Sequence, residues 1–191
     1  MRIIAGVAKG RTLSSVAGPT RPTSDRAREA LFSTLTSEFG DFSDVYVLDL
    51  FAGSGAIGLE ALSRGASLVH AVEKDDHASH AITANFEIIK NALPSGKFHL
   101  FTMSAQRFLE GTPENQYHFV YIDPPYDYSD SELVRALEKL HDNGFLKDDA
   151  LIAVERASKS HEVQWPEGYD PIRSKKYGQA TIYYANHAKN G

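Results

Sequence analysis

Two short stretches concentrate the chemistry-bearing residues of this 191-residue chain. The first is Asp49-Leu-Phe-Ala-Gly53-Ser-Gly55-Ala-Ile-Gly58, a G-x-G-x-x-G run with an apolar strand-like segment before it and an apolar helix-like segment after it. Glu73 follows twenty residues past Gly53. Glycines in that setting let the backbone turn sharply and approach a ligand, and an acidic side chain at that distance suits ribose hydroxyls. The second stretch is Asp123-Pro124-Pro125-Tyr126. Prolines directly after a buried strand cannot extend its ladder, because they lack N–H and their φ is fixed. The Pro124 carbonyl then becomes a rigid acceptor beside the Asp123 carboxylate and the Tyr126 ring.

The first stretch suits either NAD or S-adenosylmethionine, and charge separates the two. Asp49 ends its strand at the mouth of the loop, where a pyrophosphate would meet a carboxylate as a like charge. The ammonium and sulfonium of S-adenosylmethionine fit an acidic wall better. The first glycine also comes four residues after Asp49, a longer approach than the tight dinucleotide turn. In the second stretch, two acceptors and an aromatic face are the parts that seat a planar ring bearing an amino group. Such an amine is a weak nucleophile, because its lone pair is delocalised into the ring. Acceptors aimed at its two protons favour a lone pair directed out of the plane, towards a methyl donor. Orienting the two groups contributes about 7–11 kcal/mol, and stacking on Tyr126 about 1–3 kcal/mol. Asp123 or water takes the proton released afterwards.

These residues need a scaffold that delivers strand ends to one place, and the chain alternates strand and helix. A β-hairpin-like arm is expected over 2–13, then a connector with Gly18, Pro19 and Pro22, then a helix capped by Ser24. Strands are expected at 45–49, 68–73, 97–102, 117–123 and 150–155, and helices at 56–63, 75–91, 105–109 and 129–141. A hairpin around Gly178 spans about 170–186. Repeated βα units predict an α/β fold with a mostly parallel sheet, and the last hairpin adds antiparallel strands. Ligands of such sheets bind beyond the C-terminal strand ends, here Asp49, Glu73, the 102–105 segment and Asp123.

Composition narrows the classes. With 42% apolar and 24% charged residues the chain reads as globular, and with no cysteine it has no disulfide, thiolate metal site or cysteine nucleophile. No apolar run approaches the roughly 18 residues of a membrane span, and Lys9 and Arg11 interrupt the N-terminus, so a non-exported, cytoplasmic protein is expected. Net charge is −5, but residues 1–30 carry +4, residues 31–150 −11 and residues 151–191 +2. Basic ends around an acidic middle leave a surface that can touch phosphate. His77 and His80 lack a clustered third ligand and read as a solvated helix face, so no metal is expected. Tyr177, Tyr183 and Tyr184 read as edge-strand packing, and Asp127 and Asp130 as turn and cap residues.

Together, the glycine loop and the Asp-Pro-Pro-Tyr tetrapeptide resemble the S-adenosylmethionine-dependent amino methyltransferases. The chain is most similar to the bacterial 16S ribosomal RNA guanine-N2 methyltransferases, the RsmD family, over residues 2–186. The likeness is carried by Arg2-Ile-Ile-Ala-Gly6, Gly10-Arg11, Arg21-Pro-Thr-Ser-Asp-Arg26, Arg28-Glu-Ala-Leu-Phe32, the run from Leu48 to Ala66, Asp123-Pro-Pro-Tyr126 and Lys176-Tyr-Gly178. The resemblance implies a seven-stranded Rossmann-like methyltransferase fold over 41–191, with residues 1–40 as an RNA-binding arm and helix. It implies S-adenosylmethionine as donor and N2 of one guanine in 16S RNA, within the assembled small subunit, as acceptor. Asp123, Pro124, Pro125 and Tyr126 would be catalytic. Asp49, Phe51, Ala52, Gly53, Ser54 and Gly55 would hold the methionine part, Glu73 the ribose with Lys74 beside it, and Ser104 and Ala105 the adenine edge. Many relatives carry an acidic or amide side chain at that last place, so Ser-Ala moves adenine recognition to backbone groups. Lys9, Arg11, Arg21, Arg26 and Arg28 would contact RNA. The competing readings are the same chemistry on DNA adenine N6 or a protein glutamine, an NAD-dependent oxidoreductase, and a non-enzymatic RNA-binding module.

Overall fold

The computed structural model describes residues 1–15 and 25–188. The expected connector, the Ser24 cap and Arg21 lie outside the described residues. Helix α1 (Asp25–Phe39) leads into a βα series: β1 (Tyr46–Asp49), α2 (Ala56–Ser63), β2 (Leu68–Glu73), α3 (Asp76–Ile89), β3 (Lys97–Thr102), α4 (Ala105–Leu109), β4 (Tyr117–Ile122), α5 (Asp130–Asp142) and β5 (Leu146–Ala157). The hairpin β6 (Tyr169–Tyr177) and β7 (Ala180–His187) closes it. The sheet order is β3-β2-β1-β4-β5-β7-β6, with β1 to β5 parallel and β7 antiparallel to both neighbours. This is the seven-stranded Rossmann-like architecture with an antiparallel hairpin.

Alternation along the strands assigns the two layers. On one face Val47, Phe119, Tyr121, Leu151 and Ala153 pack with Ile57, Leu62, Leu31, Phe32 and Leu35 from α2 and α1. On the other face Leu48, Val120, Ile122, Ile152 and Val154 pack with Leu109 of α4 and Leu133, Leu137 and Leu140 of α5. Two expected ends move for physical reasons. Helix α3 stops at Ile89 and tightens into a 3₁₀ turn over Lys90–Ala92, because Pro94 is close ahead. Strand β5 starts earlier than its apolar run because the segment of half-buried Lys147 and exposed Asp148 and Asp149 bulges out, shifting the pairing between Tyr117 and Phe119. Asp149 has φ 58°, the left-handed conformation at which the bulge is accommodated.

The N-terminal arm is a turn-rich hairpin closed by the Arg2–Thr12 bridge and the Ile3 N–H to Arg11 carbonyl bond of 2.9 Å. It is not a separate body, since Ile3, Ala8 and Leu13 belong to the α1–α2 core. Helix α2 holds it through side chains. Glu60, fully buried, accepts the N–H groups of Ile4 (2.7 Å) and Ala5 (3.0 Å) and pairs with Arg64. The Ser63 hydroxyl donates to the Ala5 carbonyl and accepts from the Ala8 N–H. Gly6, at φ +81°, sits where a Cβ would lie 1.8 Å from the Ser63 carbonyl oxygen, so only glycine allows this approach.

Removing the buried Glu60 carboxylate orphans two backbone donors and the Arg64 guanidinium. Glu60→Ala is expected to lower the unfolding free energy by about 3 kcal/mol in urea titrations. The same variant should be cut by trypsin at Lys9 and Arg11 well before the rest of the chain.

Candidate functional site

Strand parity sets the site. The face that carries Val47 and Tyr121 also carries Asp49, Asp123 and, on β5, Glu155, so these acids reach the C-terminal edge of the sheet together. Beyond that edge opens a cavity of about 1080 Å³, bounded by the glycine loop, the ends of β2 and β3, the Asp-Pro-Pro-Tyr turn and the tip of the β6–β7 hairpin. It brings together Asp49, Phe51, Ala52, Gly53, Ser54, Glu73, Lys74, Ser104, Ala105 and the tetrapeptide from Asp123 to Tyr126.

The glycine loop is built from inside. Ala52 N–H donates to the Val72 carbonyl and Leu50 N–H to the Tyr121 carbonyl, tying the loop to both neighbours of β1. Gly53 and Gly55 adopt φ 56° and 78°, the left-handed region that lets the chain double back into α2. Gly55 lies behind the cavity wall as the residue that starts α2, and so does not itself line the cavity. Gly58 serves packing, since a Cβ there would lie 2.8 Å from Val69. Its N–H donates to Asp49 Oδ2 at 3.1 Å. Glu73 accepts from the N–H groups of Gly53 (2.8 Å) and Asp75 (2.9 Å), which fixes the carboxylate at the cavity wall.

Asp49 dominates the electrostatics. Its side chain is buried, and Oδ1 has no hydrogen-bond partner among the described residues. Burial raises its pKa to about 7; the Gly58 N–H opposes the rise and the negative charge of Glu73 adds to it. A buried carboxylate with an unused oxygen, in a residue that lines a cavity, calls for a cation or a donor. An ammonium group would answer that demand and a pyrophosphate would not. Ser104 spends its hydroxyl as the cap of α4, accepting from Arg107 N–H, so its side chain is committed to the helix. Gln106 also faces the cavity, a residue the sequence reading passed over.

At the far wall, the turn after β4 is closed by Tyr128 N–H donating to the Pro125 carbonyl at 2.9 Å, not to that of Pro124. Pro124 is buried and Asp123 half-buried, while Tyr126 is 70% exposed at the rim, a ring ready to be covered. Ser129 caps α5 in a full capping box with Glu132. Asp130 instead pairs with Arg156 at 2.9 Å, and Arg156 also donates to the Tyr128 carbonyl, bracing the turn against β5. Phe51 meets Tyr128 edge-on at 5.1 Å.

The basic residues separate. Arg26 lines the cavity, and Lys9 and Arg11 are exposed on the arm, outside the cavity wall. Arg28 is fully buried, donating to the Arg2 carbonyl (2.6 Å) and pairing with Asp25, so it is an internal tie between α1 and the arm and not a surface contact for phosphate. A charge count cannot see which side of α1 a residue takes. Of the three tyrosines read as edge packing, Tyr184 is buried, whereas Tyr177 reaches the cavity. The hairpin tip from Lys176 to Ala180, whose Lys176-Tyr-Gly178 stretch the sequence resemblance had marked, forms a further wall, and so does Glu155, which has no local sequence signal.

Comparison with known proteins agrees with this geometry. The family model described as "Conserved hypothetical protein 95" matches residues 1–186. "Ribosomal RNA small subunit methyltransferase D" of Escherichia coli K12 is 38% identical over 182 residues, 94% of this chain and 86% of that protein. "Putative rRNA methyltransferase YlbH" of Bacillus subtilis is 33% identical over 187 residues, 93% of this chain and 94% of that protein. The solved structure titled "Putative methyltransferase yhhF from Escherichia coli" superposes with a TM-score of 0.84 at 33% identity, covering 100% of this chain and 99% of that one. Among the described residues, no helix is long and apolar enough to cross a membrane.

The raised pKa of Asp49 has a definite sign in the ligand-free protein. A carboxyl whose folded value lies above its unfolded value stabilises while protonated; that contribution is lost as pH rises from about 4 through about 7. The unfolding free energy of Asp49→Asn minus that of the wild type should therefore grow between pH 5 and pH 8. Urea titrations of the ligand-free proteins at both pH values measure it.

Proposed function

The chain belongs to the family described as conserved hypothetical protein 95, which it shares with ribosomal RNA small subunit methyltransferase D, and from that premise we propose how its cavity modifies RNA. The protein is an S-adenosylmethionine-dependent methyltransferase acting on ribosomal RNA of the small subunit. Its acceptor is the exocyclic N2 of one guanine in 16S RNA, met in the assembled subunit in the cytoplasm. The observation that carries this reading is the shared cavity: the Asp123-Pro124-Pro125-Tyr126 turn faces the same space as Asp49 and Glu73.

S-adenosylmethionine supplies an electrophilic methyl on a sulfonium. Asp49 would hold its ammonium, the backbone of 51–55 its methionine part and Glu73 its ribose hydroxyls. Met103, Ser104, Ala105 and Gln106 form the wall left for the adenine. Tyr126 stacks on the guanine, while the Asp123 carboxylate and the Pro124 carbonyl accept the two N2 hydrogens. With both hydrogens held in place, the nitrogen lone pair points out of the ring plane towards the methyl. Methylation leaves a positive, acidic nitrogen, and Asp123 accepts the proton it sheds. Lys9, Arg11 and Arg26 supply positive charge for the RNA backbone.

The dehydrogenase reading fails at Asp49, whose buried carboxylate would face a pyrophosphate. Methylation of DNA adenine or of a protein glutamine would use the same turn, but the relatives above are named for ribosomal RNA. Incubation with labelled S-adenosylmethionine and small subunits lacking the modification should place N2-methylguanine at one position of 16S RNA, read by mass spectrometry. Absence of transfer to particles and to naked RNA, with the cofactor bound, would overturn the reading.

Two further outcomes are expected. Asp123→Asn should lower kcat by about 10²- to 10³-fold and leave cofactor affinity within about twofold. Cofactor affinity should tighten about tenfold per pH unit up to about pH 7 and then level off, because Asp49 must ionise to pair with the ammonium. Asp49→Asn should weaken binding and flatten that profile in calorimetric titrations.

A further inference from the structure

A second carboxylate stands beside Asp123, and the mechanism above does not use it. Glu155 sits near the C-terminal end of β5, only 8% exposed, and lines the cavity together with Asp123, Pro124 and Tyr126. Strands β4 and β5 are parallel, with Tyr121 opposite Ala153 and Ile122 opposite Val154. One residue further on, Asp123 and Glu155 are therefore neighbours across about one strand spacing, roughly 4.8 Å, on the same face of the sheet. Tyr121, itself buried, donates its hydroxyl to Glu155 Oε2 at 2.5 Å. The bond occupies one carboxylate oxygen and fixes the side chain in place, leaving its other oxygen to be aimed from a set position.

Resting on the methyltransferase reading, we infer that Glu155 is a specificity-determining residue that accepts the N1–H of the target guanine, while Asp123 and Pro124 take the N2 hydrogens. The amino group alone does not identify the base, because adenine and cytosine also carry one that the Asp-Pro-Pro-Tyr turn could seat. Their neighbouring ring nitrogens differ from that of guanine. Adenine N1 and cytosine N3 present a lone pair beside the amine, whereas guanine N1 presents a hydrogen. A carboxylate oxygen fixed next to the amine acceptors pairs with that hydrogen and repels a lone pair. A buried acceptor left facing another acceptor is costly, which is how a polar site rejects an analogue of nearly the same shape. Tyr121 is a positioning residue in this arrangement: it aims Glu155 and does not touch the base.

The test uses 16S RNA assembled by ligation with either guanine or 2-aminopurine at the position the wild-type protein methylates, reconstituted into small subunits. 2-Aminopurine keeps the 2-amino group but has a lone pair at N1. Both particles compete in one tube for labelled S-adenosylmethionine, and the products are separated by mass spectrometry. The wild type should favour guanine by roughly 10- to 100-fold in kcat/KM. Glu155→Gln should bring that ratio close to one, because its amide can donate to the N1 lone pair, and Tyr121→Phe should give an intermediate ratio. A structural role would lower both rates together and leave the ratio unchanged; an unchanged ratio in Glu155→Gln, or no preference in the wild type, overturns the inference. Failure of the wild type to methylate even the guanine particle overturns the guanine-methyltransferase reading itself, and the inference with it.

Discussion

A carboxylate taken out of water at the end of a parallel strand must be answered by something, and around Asp49 the protein answers only half of it. Gly58 N–H satisfies Oδ2, while Oδ1 is buried without a partner among the described residues. The loop from Leu50 to Gly55 is shaped by the same demand. Its N–H groups bond to the Val72 and Tyr121 carbonyls and to Glu73, so the loop closes over Asp49 without supplying a donor to Oδ1. A bound cation would supply the missing donor. A carboxylate whose pKa stands near 7 when alone becomes fully charged once a cation arrives, which couples the site's charge state to its occupancy.

The same strand geometry places the acceptor site. Because β1, β4 and β5 run parallel and in register, side chains two residues apart along each strand emerge in rows across the sheet. On one face Asp49 lies level with Tyr121 and Ala153, and Asp123 and Glu155 follow two residues further along β4 and β5. The glycine loop and the Asp-Pro-Pro-Tyr turn thus share one sheet edge, and the strand ends that carry them are set by backbone pairing. The Arg156–Asp130 pair and the Arg156 bond to the Tyr128 carbonyl extend this control to the turn that carries Tyr126.

Local pattern made much of the fold legible. Helix α2, strands β2 and β3 and helix α4 lie where apolar spacing and turn residues put them, because each is a short element bounded by glycine, proline or a capping side chain. The glycine loop and the tetrapeptide were legible for a similar reason, since their chemistry is carried by contiguous residues. Glu155 was not legible. In Ala150-Leu-Ile-Ala-Val-Glu155 it reads as the polar end of a buried strand, and only its register with β4 makes it a neighbour of Asp123. Arg28 erred the other way. Counted as surface charge, it is held inside by Asp25 and the Arg2 carbonyl, facts of tertiary packing invisible to composition.

The arm's attachment bears on the site as well as on stability. Asn85 of α3 accepts from the Ser14 N–H at 2.8 Å, donates to the Ser14 carbonyl at 2.9 Å, and donates to the Ser54 carbonyl at 3.0 Å. One fully buried amide therefore joins the end of the arm to the glycine loop. Its oxygen and nitrogen fit this role because the arm offers both a donor and an acceptor, while the loop offers only a carbonyl. Shifting the arm breaks two bonds to Asn85 and loosens the third, which holds the loop beside Asp49. The segment that carries the exposed Lys9 and Arg11 is in this way mechanically continuous with the cofactor loop.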